Sequence, residues 1–428
     1  MPDSQQTLVM KFGGTSVGSI DALTKATQII KEARVQYPRL VVITSAMSGV
    51  TDLLLKCATL ATQGNIDSLP SAESALREKH FSAANALIRD DKLRENTKGE
   101  INCLIESLID LCRAIAVLGE ASPRALDAVA SLGERMSVRL LGAVVESAGI
   151  PVKAIESSEF VVTNSHFQSA NPDFQATTER TRGCLNPLFE AGIIPITTGF
   201  IGATPEGVIT TLGRGGSDYS ASIIGSVLPA DDVWIWTDVD GVMTADPRLV
   251  ASARTLPEIS YSEVAELAYY GAKVLHPKTI RPLIEAGIGL RICNTFNPSH
   301  PGTRLVSNGH SNGKANSEQV IKAVTAIRKQ KLVTIEGRGM LGVPGVAARA
   351  FGAVASTGTS VPLITQASSE QSICFAIPAE SADHVLESLQ KIFAIELSER
   401  DIDRVWATDE VAIITTVGSG TRNTPGIA

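Results

Sequence analysis

Paired cysteines are missing from this sequence. Its six cysteines (Cys57, Cys103, Cys112, Cys184, Cys293 and Cys374) lie far apart in 428 residues and form no C-x-x-C pair. Scattered single cysteines fit a reducing compartment, not a disulfide framework. The six histidines are dispersed as well, without zinc spacing, so no protein-held metal is expected. No uninterrupted apolar stretch reaches about 18 residues, which argues against a membrane span. The opening MPDSQQTLVMKFGG lacks the basic start and apolar run of a secretory signal. The cytoplasm is therefore the expected location. An excess of positive charge is absent too. The net charge is −7, which removes the electrostatic footprint of a nucleic-acid binder and leaves room only for a local basic pocket.

What remains is globular. Hydrophobic residues make up 44% and charged residues 19%, and the length suits two or three domains. Residues 8–12 read as a buried strand, followed by a glycine turn and a helix over 19–34. A second strand (40–44) and helix (50–62) follow. Residues 71–118 are periodic at helical spacing and form a helical excursion, and 123–148 is another helix. Strands then alternate with helices: 152–155, helix 177–190, 193–197, helix 217–226, 233–237. Such alternation indicates an α/β domain with a largely parallel sheet. Helices over 261–271 and 277–286 and a strand at 288–293 complete it.

Residues 297–318 hold NPSHPGTR and SNGHSNGKANSE, a composition typical of a linker or loop. Beyond it the order is strand 332–336, helix 346–356, strands 361–365 and 372–377, helix 382–393. That order is ferredoxin-like. A weak repeat relates LVTIEGRGMLGVPGVA (332–347) to VAIITTVGSGTRNTPGIA (411–428). A lone strand buries no core, so the second copy is either cut short or completed by other segments.

Four motifs carry chemistry. KFGGTS (11–16) ends a buried strand. Gly13 and Gly14 allow close backbone approach, the next helix offers free N–H groups to an anion, and Lys11 can neutralise a transferring phosphoryl group. It is not a Walker A loop, because G-x-x-x-x-G-K-[ST] is absent. GRGGSD (213–218) precedes a small-residue helix, and Arg214 suits bidentate carboxylate binding. WTDVDGVMTADPR (236–248) leaves the carboxyl end of an apolar strand, where open α/β sheets bind ligands. GAKVLHP (271–277) offers Lys273 to nucleotide phosphates, while His276 reads as structural. A fifth pattern, GRGMLG (337–342), fits G-x-G-x-x-G. The strand at 361–365 brings no acid where a dinucleotide site needs one, so that reading is rejected.

Taken together, KFGGTS, VVITSAMSGVTDLL (41–54), LGERMS (132–137), TTLGRGGSD (210–218), WTDVDGVMTADPR and AKVLHP (272–277) resemble the aspartate kinases of the amino acid kinase family. GVPGVAARAF (342–351) and LITQASSEQSICFAI (363–377) resemble the ACT regulatory domains that follow the kinase domain, especially in bifunctional aspartate kinase–homoserine dehydrogenases. The resemblance implies an amino acid kinase fold, an αβα sandwich with a largely parallel open sheet between helices. It places this domain at 1–296, a linker at 297–320, a ferredoxin-like ACT domain at 321–400 and the start of a second at 401–428.

It also implies an ATP- and Mg²⁺-dependent transfer of the γ-phosphoryl group to the β-carboxylate of L-aspartate, the entry to lysine, threonine and methionine biosynthesis. Lys11 and Asp218 would serve the transfer. Ser45, Thr51, Glu134, Arg214, Gly215, Gly216 and Ser217 would surround aspartate, with Arg214 on its α-carboxylate and Glu134 on its α-ammonium. Lys11, Gly13, Gly14, Thr237, Asp238, Met243, Arg248, Lys273 and Val274 would hold ATP. Met243 stands where many relatives carry a tyrosine. Feedback by threonine or lysine and a homodimer through the ACT regions are further implications. The acceptor carboxylate, with a pKa of about 3.9, is already ionised at neutral pH, so positioning and charge neutralisation suffice. A glutamate or acetylglutamate kinase, or a non-catalytic amino-acid sensor, are the competing readings.

Overall fold

The computed structural model describes residues 6–272, 275–306, 321–366 and 371–418. The chain divides into two compact units, Met1–Ala265 with Val274–Ser317, and Glu266–Lys273 with Glu318–Ala428.

The first unit is built on β1 (Thr7–Phe12), β2 (Arg39–Thr44), β3 (Val152–Ile155), β4 (Ile194–Thr198), the short hairpin β5 (Ile201–Ala203) and β6 (Ile209–Thr211), β7 (Asp232–Thr237), β8 (Glu258–Ser260), β9 (Gly289–Asn294) and β10 (Thr303–Val306). Eight of them form one sheet in the order β3-β4-β2-β1-β7-β9-β10-β8. All its pairings are parallel except β9 with β10. β1 lies in the middle and is buried along its whole length. A strand covered on both faces needs the unbroken apolar run that TLVMKF nearly supplies, and its one charged residue, Lys11, falls near the carboxyl end.

Helices pack on this sheet, and their starts follow from capping. Ser19 Oγ accepts from the Ala22 N–H at 3.1 Å to open Ile20–Gln36. Ser122 Oγ does the same for Pro123–Ser147, with Pro123 at a position that needs no N–H. The helical excursion is two helices, Leu69–Leu87 and Asp91–Leu118. Asp90 separates them by capping the second, its Oδ1 accepting from the Leu93 N–H at 2.6 Å. These helices, with Val50–Thr62 and Pro123–Ser147, share one apolar core with β1 and β2.

The segment expected as a linker departs from that reading. Its residues 303–306 are β10, paired with β9 and β8, so the sheet extends past residue 296. Thr303 is buried and anchors the strand, its Oγ1 donating to Leu256 O at 2.6 Å. Residues 307–320 lie outside the described ones.

The second unit contains β11 (Ala323–Glu336), β12 (Leu363–Gln366), β13 (Ser372–Pro378), β14 (Arg404–Ala407) and β15 (Val411–Val417). Helices Val346–Ser356 and Ala382–Ile392 cover it. The sheet order β12-β13-β11-β14 is the ferredoxin-like one, with β14 completing it. β15, the strand of the repeat's second copy, is not solitary. It pairs with the first half of β11, Ala323 opposite Val417, while the second half holds β13 and β14. Two glycines of GRGMLG serve packing. A Cβ at Gly337 or Gly339 would strike the backbone of Asp401, and the Gly339 N–H donates to Asp401 O at 3.1 Å.

Candidate active site

The chain reverses its direction of travel across the large sheet at β1. β2, β4 and β3 lie on one side of it, β7 and β9 on the other. Open α/β sheets take ligands outside the carboxyl ends of their strands at such a point. A cavity of about 440 Å³ lies there, its lining including Lys11, Ser45, Thr51, Glu134, Gly215, Gly216, Arg214, Ser217 and Asp218. The structure thus brings together every residue expected around the acceptor, and Lys11 with them.

Lys11 Nζ lies 2.6 Å from Asp218 Oδ1. The lysine comes from the end of β1 and the aspartate from the first turn of helix Gly216–Val227. That helix begins after Gly215, in the left-handed region at φ 70°; its Gly216 N–H donates to Gly213 O at 2.9 Å, and a helix start of this kind suits an anion. Gly13 follows β1, its N–H donating to Trp236 O at 3.0 Å. A Cβ there would sit 3.6 Å from Lys11 Nζ, beside the ammonium head. At Gly14 a Cβ would lie 2.8 Å from Ala46 O, closer than real side chains come, so that turn requires glycine.

Glu134 is buried in the cavity wall, and its Oε2 has no hydrogen-bond partner. Burial pushes its acid up to about 8, against the opposing pull of the Ala46 N–H, its own backbone N–H and the Lys11 charge. A buried carboxyl oxygen left open is suited to a cationic donor. Arg214 is exposed in the preceding loop and forms no ion pair with the described residues. An ammonium acceptor and a guanidinium donor thus share one cavity with a lysine.

Sequence reasoning missed Asp127, Gln168, Phe200 and Thr211, which also line the cavity. Asp127 is buried seven residues, about two turns, before Glu134 on the same helix, a spacing that puts both on one face. That spacing was the available signal. Gln168 and Phe200 adopt φ of 67° and 66°, left-handed values that cost a non-glycine residue on the order of 1–3 kcal/mol. Nothing in the sequence marks them.

The residues expected on the nucleotide side lie around the end of β7. Thr237 Oγ1 donates to Asp238 Oδ1 at 3.2 Å. Asp240 accepts from Asn294 Nδ2 at 2.8 Å and Asn297 Nδ2 at 3.1 Å, which ties this loop to the end of β9. Met243 forms a bridge with Thr255, and exposed Arg248 is paired with Asp246 at 2.8 Å. None of Thr237, Asp238, Met243 and Arg248 lines the cavity itself. Lys273 and Val274 lie outside the described residues. Among the described residues, no three His, Cys, Asp or Glu side chains converge to hold a metal ion, and no helix is long and apolar enough to cross a membrane.

Residues 6–294 match the model of the amino acid kinase family, and residues 333–393 that of an ACT domain. The chain is 37% identical over 429 residues to bifunctional aspartokinase/homoserine dehydrogenase 1 of Zea mays, an alignment covering 100% of this chain and 46% of that one. It is 34% identical over 423 residues to lysine-sensitive aspartokinase 3 of Escherichia coli, covering 98% and 89%. It spans about half the length of the bifunctional relatives. Among solved structures, E. coli aspartokinase III in complex with lysine and aspartate matches with a TM-score of 0.79 at 33% identity, covering 96% of this chain and 87% of that one. The same enzyme in complex with aspartate and ADP gives 0.78 at 31%, covering 99% and 90%.

Proposed function

This chain belongs to the amino acid kinase family, on its aspartokinase branch, and from that premise we propose that it transfers the γ-phosphoryl group of ATP to the β-carboxylate of L-aspartate. The observation that carries the reading is the open, buried Glu134 oxygen in one cavity with Arg214 and the Lys11–Asp218 pair. Arg214 takes the α-carboxylate in bidentate fashion and Glu134 the α-ammonium. The β-carboxylate is then directed toward Lys11. An N-acetylated acceptor would bring no cation to Glu134, so the site favours a free amino acid.

The β-carboxylate oxygen attacks the γ-phosphorus as the bond to the β,γ-bridging oxygen breaks, leaving ADP and an acyl phosphate. No proton has to be removed from the nucleophile, so the side chains act by holding two anions in line. Lys11 reduces their repulsion, and Asp218 holds the lysine in place. Gly13 leaves space for phosphates beside that lysine, and Gly14 lets the turn close against Ala46. Thr237, Asp238, Met243, Arg248, Lys273 and Val274 complete the nucleotide side, and Ser45, Thr51 and Ser217 the acceptor side. Mg²⁺ bound together with the nucleotide would supply further charge neutralisation.

The second unit binds a feedback amino acid, lysine or threonine, and joins two copies of the chain. The E. coli relative is named lysine-sensitive, and the similarity to bifunctional enzymes favours threonine. A cytoplasmic setting fits the unpaired cysteines.

Hydroxylamine trapping of the acyl phosphate tests the reaction, run with aspartate, glutamate, N-acetylglutamate and acetate. Hydroxamate from aspartate alone is expected. Hydroxamate from glutamate or its acetyl derivative in place of aspartate would reassign the acceptor, and none from any acid would favour a sensor.

A further inference from the structure

The wall of the cavity that carries Arg214 has no regular element of its own. Arg214 lies between the end of β6 and the start of helix Gly216–Val227. Three contacts hold the residues just before it. The Leu212 N–H donates to Phe200 O at 2.9 Å. Gly213 lies against Gln168, such that a Cβ on it would fall 2.9 Å from Gln168 O. Thr211 is bound to the carboxylate of Asp127, through its N–H at 2.9 Å and its Oγ1 at 2.7 Å.

The same carboxylate holds Gln168. Both of its oxygens accept from the Gln168 N–H at 3.0 Å. Gln168 is one of the two left-handed non-glycine residues of the cavity. Such a backbone persists only where its surroundings over-determine it. The Thr211 carbonyl closes the arrangement by accepting from the Ala170 N–H at 2.9 Å. One buried side chain thus ties together the helix that carries Glu134, the loop at Gln168 and the strand that leads to Arg214.

We propose that Asp127 is a positioning residue for the acceptor amino acid: its carboxylate sets Gln168 and Thr211, and through them places Arg214 opposite Glu134. The inference rests on the acceptor reading above and deepens it. Asp127 does not touch the reacting groups in this account. Three donors converge on it (two backbone N–H groups and one hydroxyl), and a carboxylate is the side chain that accepts from all of them. An asparagine keeps most of the arrangement. Its Oδ1 takes the two N–H groups and its Nδ2 donates to the Thr211 hydroxyl, which turns to accept, while the Gln168 N–H loses the second oxygen it shares. Alanine keeps none of it.

The test uses the full chain with Asp127→Ala, Asp127→Asn and Thr211→Val. Steady-state constants are measured for acceptor and ATP, with hydrogen exchange at the Gln168 and Thr211 amides. Asp127→Ala is expected to raise KM for the acceptor roughly tenfold or more, as expected for a displaced charged anchor, with KM for ATP within about twofold. Both amides should lose protection. Asp127→Asn should raise the acceptor KM clearly less than Asp127→Ala, and Thr211→Val should fall between the parent and Asp127→Ala. An unchanged acceptor KM in Asp127→Ala, a parallel rise in both KM values, or an asparagine as damaging as alanine would each overturn the proposal. If Asp127→Ala fails to fold, the Asn and Val variants decide by the same split. Should the parent use glutamate instead, the functional reading fails while the acceptor-against-ATP comparison is made with glutamate. Should it turn over no acid, amide protection still decides, and protection unchanged in the Ala or Val variant overturns the clamp.

Discussion

Lys11 Nζ and Asp218 Oδ1 meet at 2.6 Å, which fastens the end of the central strand to the first turn of helix Gly216–Val227. The pair acts as a unit, so its members should not contribute independently. Lys11→Ala is expected to lower kcat by roughly a hundredfold or more, the scale for losing one transition-state charge contact. Asp218→Asn should lower it less, and the double variant should fall well short of the product of the two effects. Single-turnover kinetics on the three variants would show this, and a multiplicative double variant would mean that the residues act separately.

Glu134 makes acceptor binding a proton-linked event. With its acid pushed up to about 8, the free group holds a proton at neutral pH. An ammonium beside it favours the ionised form, so binding aspartate at pH near 7 should release up to about one proton. Calorimetric titration in buffers of different ionisation enthalpy reads that number directly. The same shift carries a stability sign. The folded state binds the proton more tightly than the unfolded chain, whose acid titrates at the ordinary 4.5, so Glu134 erodes stability as pH rises from there through about 8. Glu134→Gln should melt higher than the parent at alkaline pH, with little difference in acid, while losing aspartate binding.

The two glycines after β1 should separate by experiment. A Cβ at Gly13 finds ordinary space, 3.4 Å from Trp236 O, but stands beside the Lys11 head. At Gly14 it meets Ala46 O at 2.8 Å. Gly13→Ala should melt close to the parent and raise KM for ATP several-fold. Gly14→Ala should be destabilised by about 1–3 kcal/mol, the usual cost of overpacking. Urea titration beside nucleotide kinetics distinguishes them, and equal loss of stability in both would remove the phosphate-cradle argument.

His80 gives the helical layer an acid limit. It is fully buried, with Nδ1 donating to Leu76 O at 2.8 Å and Nε2 without a partner. Burial pushes its pKa down to about 4, opposed by the Leu76 carbonyl and reinforced by the Lys79 charge. The unfolded chain takes up a proton near the ordinary 6.5 that the folded chain refuses, so stability present above that value is lost as pH falls toward 4. His80→Leu should flatten this slope in urea midpoints compared at about pH 7.5 and about pH 5. A slope equal to the parent's would assign the acid sensitivity elsewhere.

Much of the first unit was legible because its strands are apolar runs and its helices open on recognisable caps. TLVMKF reads as a buried strand, and VTDLLLKCATLAT has the helical period throughout. The break at Asp90 was hidden because both flanks carry the same period. β10 was hidden because four residues after NPSHPG carry little strand signal, and antiparallel pairing with β9 decides their state. In the site, the glycine-bounded clusters around Lys11 and Arg214 stand out in sequence. Asp127 shows only its spacing from Glu134, because its bonds reach Gln168 and Thr211, and only the fold brings those three together.

The pairing of β15 with the first half of β11 also has a consequence in time. During synthesis, the segment beginning at Ala323 leaves the ribosome long before Val417, its partner. The whole ferredoxin-like unit lies between them in the chain and can close first. Until then, residues 323–327 present open strand edges, Ile327 among them. Nascent chains stalled before residue 411 should therefore be the species most prone to mispair and most in need of a chaperone.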